Sequence, residues 1–158
     1  MIKIDTNAIT KLIPKASEWI KNQEFGILIK GRNLNSDELD IAKKIGIKNY
    51  DKIKIFESST IPKPKDIMLL EVGKQLGLIN AQTSGICFRY GIFIHENGMD
   101  KKATLVHELI HTLQYERFGS IELFLTQYSK ECLELGYENS TLELEAIMKT
   151  KEFNFVKI

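Results

Sequence analysis

The sequence predicts an α+β domain, and three observations carry that reading. Several stretches repeat apolar residues with the 3.6-residue period of a helix. Two β-rich runs, Gly85-Ile-Cys-Phe-Arg-Tyr90 and Gly91-Ile-Phe-Ile-His95, stand together in the middle of the chain. Glycine and proline punctuate these segments where elements must end. The chain has 158 residues, 43% of them hydrophobic, enough for one core, so one domain over residues 1–158 is expected.

Taken in order, Trp19, Ile20, Ile27 and Leu28 keep helical spacing over about Ala16 to Lys30, and Gly31 stands where that helix would stop. Asn35-Ser-Asp-Glu38 has the order of a capping box ahead of Leu39 to Ile45, with Gly46 closing the helix. Ile53 to Phe56 alternates like a strand. After Pro62-Lys-Pro64, the spacing of Ile67, Leu70, Val72 and Leu76 predicts a helix over Asp66 to Leu76, ending near Gly77. The two β-rich runs follow, then a turn at Glu96-Asn-Gly98 and a capping Asp100. Helices are predicted from Lys101 to Phe118, stopped by Gly119, and over about Ile121 to Leu135 and Thr141 to Lys151. Phe153 to Val156 reads as a short strand.

Charge narrows the function. The 22 Lys+Arg nearly cancel the 21 Asp+Glu, which leaves a net charge of +1 and no support for a nucleic-acid partner. Met1-Ile-Lys-Ile-Asp-Thr-Asn7 lacks the apolar core of a secretory signal, and no apolar run is long enough to span a membrane, so a soluble cytoplasmic protein is expected. Cys87 and Cys132 are far apart and form no C-x-x-C pair, which predicts two buried apolar thiols and neither a disulfide nor a thiolate metal site.

Residues 107–111 read His-Glu-Leu-Ile-His. On a helix the i, i+4 spacing stacks the two imidazoles on one face, where they can share a metal ion. Glu108 is turned by about 100° around the axis, so it reaches a water held by the ion and not the ion itself. That is the position of a general base. A helical wheel puts Thr104, His107, Glu108, His111, Gln114 and Tyr115 toward a cleft, with Leu105, Val106, Leu109, Ile110 and Leu113 toward the core. A catalytic zinc needs a third protein ligand and an open fourth position. Downstream, Glu143 and Glu145 are both available, but about 200° of helical rotation separates them, so only one can reach the ion. Ser140-Thr-Leu-Glu143 is also a capping-box sequence.

Over about Tyr90 to Ala146, roughly a third of its length, the chain resembles the gluzincin branch of the zincin metallopeptidases. In several members a glutamate in the pattern E-x-x-A completes the site, and Glu143 stands in that relation to Ala146, whereas Glu145 does not. The resemblance implies a zincin-like fold: a short sheet with Gly91–His95 at the cleft edge, an active-site helix, and a downstream glutamate helix. It implies zinc on His107, His111 and Glu143, Glu108 as base, and a peptide or protein as substrate. Tyr137 is similar to a tyrosine that points at the metal in lethal-factor-like members, which makes it a donor to the oxyanion; packing on the core is its other reading. His95 closes the strand that would bind an extended substrate, or is simply solvated there. The N-E-x-x-S-D block of the thermolysin family is absent, so no thermolysin-like preference is implied. The other expectation is a zinc-binding domain of this kind that serves partner binding or regulation without catalysis; the intact Glu108 argues against it.

Overall fold

The computed structural model describes residues 4–153 and is an α+β structure. Among the described residues the order is α1 (Thr6–Lys30), β1 (Arg32–Asn33), α2 (Ser36–Ile45), β2 (Lys54–Ser58), α3 (Ile67–Gln75), β3 (Gly85–Phe88), β4 (Gly91–His95), α4 (Lys101–Phe118), α5 (Ile121–Leu135) and α6 (Thr141–Phe153). Short 3₁₀ turns occupy Tyr50–Lys52 and Tyr137–Asn139. No helix among the described residues is long and apolar enough to cross a membrane.

Local signals account for most boundaries. The capping box at α2 is formed in both directions, with Asn35 Oδ1 accepting from Glu38 N and Glu38 Oε1 accepting from Asn35 N. Asp100 caps α4 as predicted, and Asp66 caps α3 and is not its first residue. The first helix is longer than expected: it begins at Thr6, capped by Asp5, and continues through Pro14. Proline there removes one helical hydrogen bond, but Ile9 on the far side is buried in a cluster with Val72, Leu76 and Cys132, and this packing holds the extra turns. At the other end, Phe153 closes α6 and is not a strand residue; the rest of that predicted strand lies outside the described residues.

The four strands form one mixed sheet in the order β1-β2-β4-β3. β2 and β4 run parallel, while β1 and β3 are antiparallel to their neighbours. The expectation that Gly91–His95 forms the cleft edge is therefore corrected. β4 is an interior strand, bonded on both sides, and its successive side chains Ile92, Phe93 and Ile94 are all buried, so both of its faces are covered. The strand at that end of the sheet is β3. Both α1 and α4 pack on the sheet. Gly91 permits the approach of α1, since a Cβ there would lie 3.1 Å from both Glu24 Cα and Ile27 Cβ.

Glu24, buried in α1, clamps the β3–β4 turn. Its carboxylate accepts from Arg89 Nη2 and Nε at 2.7 and 2.8 Å and from Tyr90 N at 3.0 Å. Arg89 adopts a left-handed backbone (φ 63°), and its carbonyl accepts from Thr112 Oγ1 of α4 at 2.6 Å. Glu24→Ala would leave the guanidinium without its partner. The Arg89 side chain keeps 34% of its surface in solvent, so the expected loss is about 2 kcal/mol, below the range for a fully buried pair. Urea unfolding checks this value, and a loss below about 0.5 kcal/mol would show that the clamp adds nothing.

Candidate metal centre

α4 is buried on most of its surface; Thr104, His107, Glu108, His111 and Tyr115 line the cleft as the helical wheel predicts, and Gln114 does not. His107 is only partly covered, while Glu108 and His111 are 7% and 6% exposed. Gln114 is fully buried and turns toward α6, and Tyr115 stacks on Phe124 with ring centroids 3.9 Å apart. The two histidines bring their Nε2 atoms to 3.2 Å. Glu143 closes the group from the first turn of α6, with Oε1 at 3.1 Å from His107 Nε2 and Oε2 at 2.9 Å from His111 Nε2.

The ligand atoms of these three residues all lie within 4.8 Å of one another, close enough to hold a metal ion. The donor set fits that role, because two imidazole nitrogens meeting at this distance repel unless a proton or a cation lies between them. Two imidazoles and one carboxylate suit a divalent ion of borderline softness. No fourth His, Cys, Asp or Glu joins the group among the described residues.

The position of Glu143 is set by α5. Glu131 accepts from Thr141 N at 2.6 Å, Leu142 N at 3.3 Å, Thr141 Oγ1 at 2.8 Å and Ser140 Oγ at 3.0 Å, and so caps α6 from a neighbouring helix. The capping box predicted from Ser140 and Glu143 is half formed: Ser140 Oγ accepts from Glu143 N at 3.5 Å, while the Glu143 side chain turns to the histidines. Tyr128, also on α5, donates its hydroxyl to Glu143 Oε2 at 2.7 Å. Neither Tyr128 nor Glu131 stands out in the sequence. Their signal is two polar residues three apart on the helix face that also carries Phe124, Leu125 and Cys132.

Glu145 faces the other way, accepting from Arg117 Nη2 at 2.9 Å and from Gln114 Nε2 at 2.8 Å. His95 ends β4 and accepts from Asn97 N through Nδ1 at 3.1 Å, apart from the group. Tyr137 lines the same cleft at 36% exposure. Cys87 and Cys132 are free and buried, with burial pushing the Cys132 thiol up to about 12.

Electrostatics separate the two carboxylates. Burial raises Glu108 above the ordinary carboxylate range, and the nearby histidines only partly oppose this. Among the described residues no side chain hydrogen-bonds its carboxylate. Gly85 of β3 leaves room for it, since a Cβ there would stand 3.1 Å from Glu108 Cγ and 2.7 Å from Thr104 Cγ2. For Glu143 burial also acts upward, but bonds to His107 and His111 outweigh it and hold the group well below the usual range. Burial, then the charges of Glu143 and Glu108, raise the Tyr137 phenol, so it keeps its proton.

The group sits in a cleft of about 640 Å³. Its walls are mainly apolar and include Ile13 and Trp19 of α1, Leu69 and Val72 of α3, Ile86 of β3 and Leu125 of α5. Outside the histidine–glutamate cluster, Lys151 is the one charged residue on the lining among the described residues. Comparison with known proteins returned no matching family model, no matching curated protein and no matching solved structure.

Proposed function

We propose that the chain is a zinc metallopeptidase of the zincin type, with zinc held by His107, His111 and Glu143. The observation that carries this reading is a buried carboxylate without a side-chain partner, Glu108, beside three converging ligand atoms at the wall of an apolar cleft. The chemistry zinc supplies in such a site is polarisation of a carbonyl and acidification of water. Glu108 takes one proton from the attacking water as its oxygen bonds to the carbonyl carbon. Burial favours the protonated form of Glu108, which then delivers the proton to the amide nitrogen as the C–N bond breaks. Tyr137, kept protonated by its surroundings, donates to the developing oxyanion. Tyr128 orients Glu143 through its hydrogen bond to Oε2 and touches no reacting atom in this scheme.

The cleft walls bear on the substrate. Burying an unpaired charge against them is costly, whereas an apolar side chain gains from every contact. The peptide residue beside the scissile bond is therefore large and uncharged. The test is a mixed peptide library incubated with zinc-loaded protein and read by mass spectrometry. New termini next to Phe, Leu, Ile or Met are expected, and they should vanish with a chelator. Cleavage that persists unchanged in the Glu108→Gln protein, or a complete lack of cleavage by zinc-loaded parent, overturns the reading.

A further inference from the structure

The side chain of Gln114 is fully buried, and both of its polar atoms are engaged. Nε2 donates to Leu142 O at 2.9 Å and to Glu145 Oε1 at 2.8 Å, both on α6. A main-chain carbonyl and a carboxylate only accept, so the NH₂ end must face α6. Oε1 is left pointing at His111 Nδ1, 2.8 Å away. An amide oxygen accepts and cannot donate, so the proton of this bond belongs to Nδ1. The opposite ring nitrogen, Nε2, is the one that faces His107 and Glu143.

We propose that Gln114 is a positioning residue that sets the polarity of the metal centre: oriented by Leu142 and Glu145, it holds a proton on His111 Nδ1 and leaves Nε2 to the cation. A reversed amide would aim NH₂ at Nδ1, move the proton to Nε2 and close the site. The orienting groups are anchored in turn, since Arg117 Nη2 donates to both Glu145 oxygens at 2.9 Å and Lys149 pairs with Oε2 at 3.4 Å. One docking event therefore delivers two things to α4. The first turn of α6 brings Glu143 as a ligand and, through Leu142, Glu145 and Gln114, prepares His111 to be another. This inference rests on the metal-binding role of the group and is independent of hydrolysis.

The test uses zinc alone as the probe. Long-range ¹H–¹⁵N spectra of the zinc-loaded parent should show His111 protonated at Nδ1 and coordinated at Nε2. Gln114→Leu, which keeps bulk and removes all three bonds, should weaken zinc binding by about 10- to 100-fold in a chelator competition. A Gln114→Leu protein that binds zinc as tightly as the parent overturns the inference, as does a parent in which Nδ1 is bare or coordinated, or one that binds no zinc. Should Gln114→Leu fail to fold, the parent spectrum decides. A peptidase assay without turnover leaves both readouts unchanged, so the two failures are distinguishable.

Discussion

Glu108→Gln is expected to bind zinc as the parent does while hydrolysing peptides about 10²- to 10⁴-fold more slowly. The substitution keeps the shape of the side chain, which fits the same space that Gly85 leaves open, so the helix and cleft should persist. Glu108 lies outside the group of three converging ligands, which is why the metal should stay. What is lost is the carboxylate that can take a proton and return it. Gln has no basicity to replace it. Zinc content by elemental analysis and kcat on a peptide from the library check the two halves separately. Normal turnover with normal zinc would remove Glu108 from the mechanism.

His111→Ala should abolish tight zinc binding, and with it the stability that zinc confers. At a free zinc concentration about 1,000 times Kd, that gain is about 4 kcal/mol in the parent. His111 is the most deeply placed of the two histidines, with its side chain 8% exposed against 22% for His107. The size of the effect depends on pH in a definite direction. In the metal-free protein burial pulls the His111 imidazole down, but its bond to Glu143 and the charges of Glu143 and Glu108 lift it to about 9. A group raised from 6.5 stabilises the fold fully below 6.5, and that contribution disappears as pH rises through about 9. Glu143, held low, contributes above about 4.5 and loses its contribution as pH falls through the lowered value. Zinc competes with the Nε2 proton and binds more tightly as pH rises over the same window. The Tm difference between zinc-loaded and chelator-treated protein should therefore grow from pH 6.5 to pH 9, and His111→Ala should flatten it. A pH-independent difference in the parent would contradict the shared site.

Several features of the molecule were legible in the residues alone. Helical period, Asn35 and Asp100 as caps, and Gly46 and Gly119 as stops are local, and α2, α3 and α4 appear close to where they are predicted. The i, i+4 relation of His107 and His111 is a property of any helix, so their convergence needed no knowledge of the fold. The choice of Glu143 over Glu145 came from the resemblance, and opposite helix faces agree with it in the structure. Three things could be decided only by tertiary structure. Alternation along a strand reports which faces are buried and says nothing of which edges are bonded, so the interior place of β4 was invisible in its sequence. α1 runs through Pro14 because Ile9 finds partners on α3 and α5, a gain that local propensity does not contain. The supports of the candidate metal centre depend on helix interfaces: Tyr128 and Glu131 of α5 bond to the start of α6, and α6 in turn orients the Gln114 amide on α4. A side chain's hydrogen-bond partner across such an interface depends on how the helices dock, and only the docked fold specifies it.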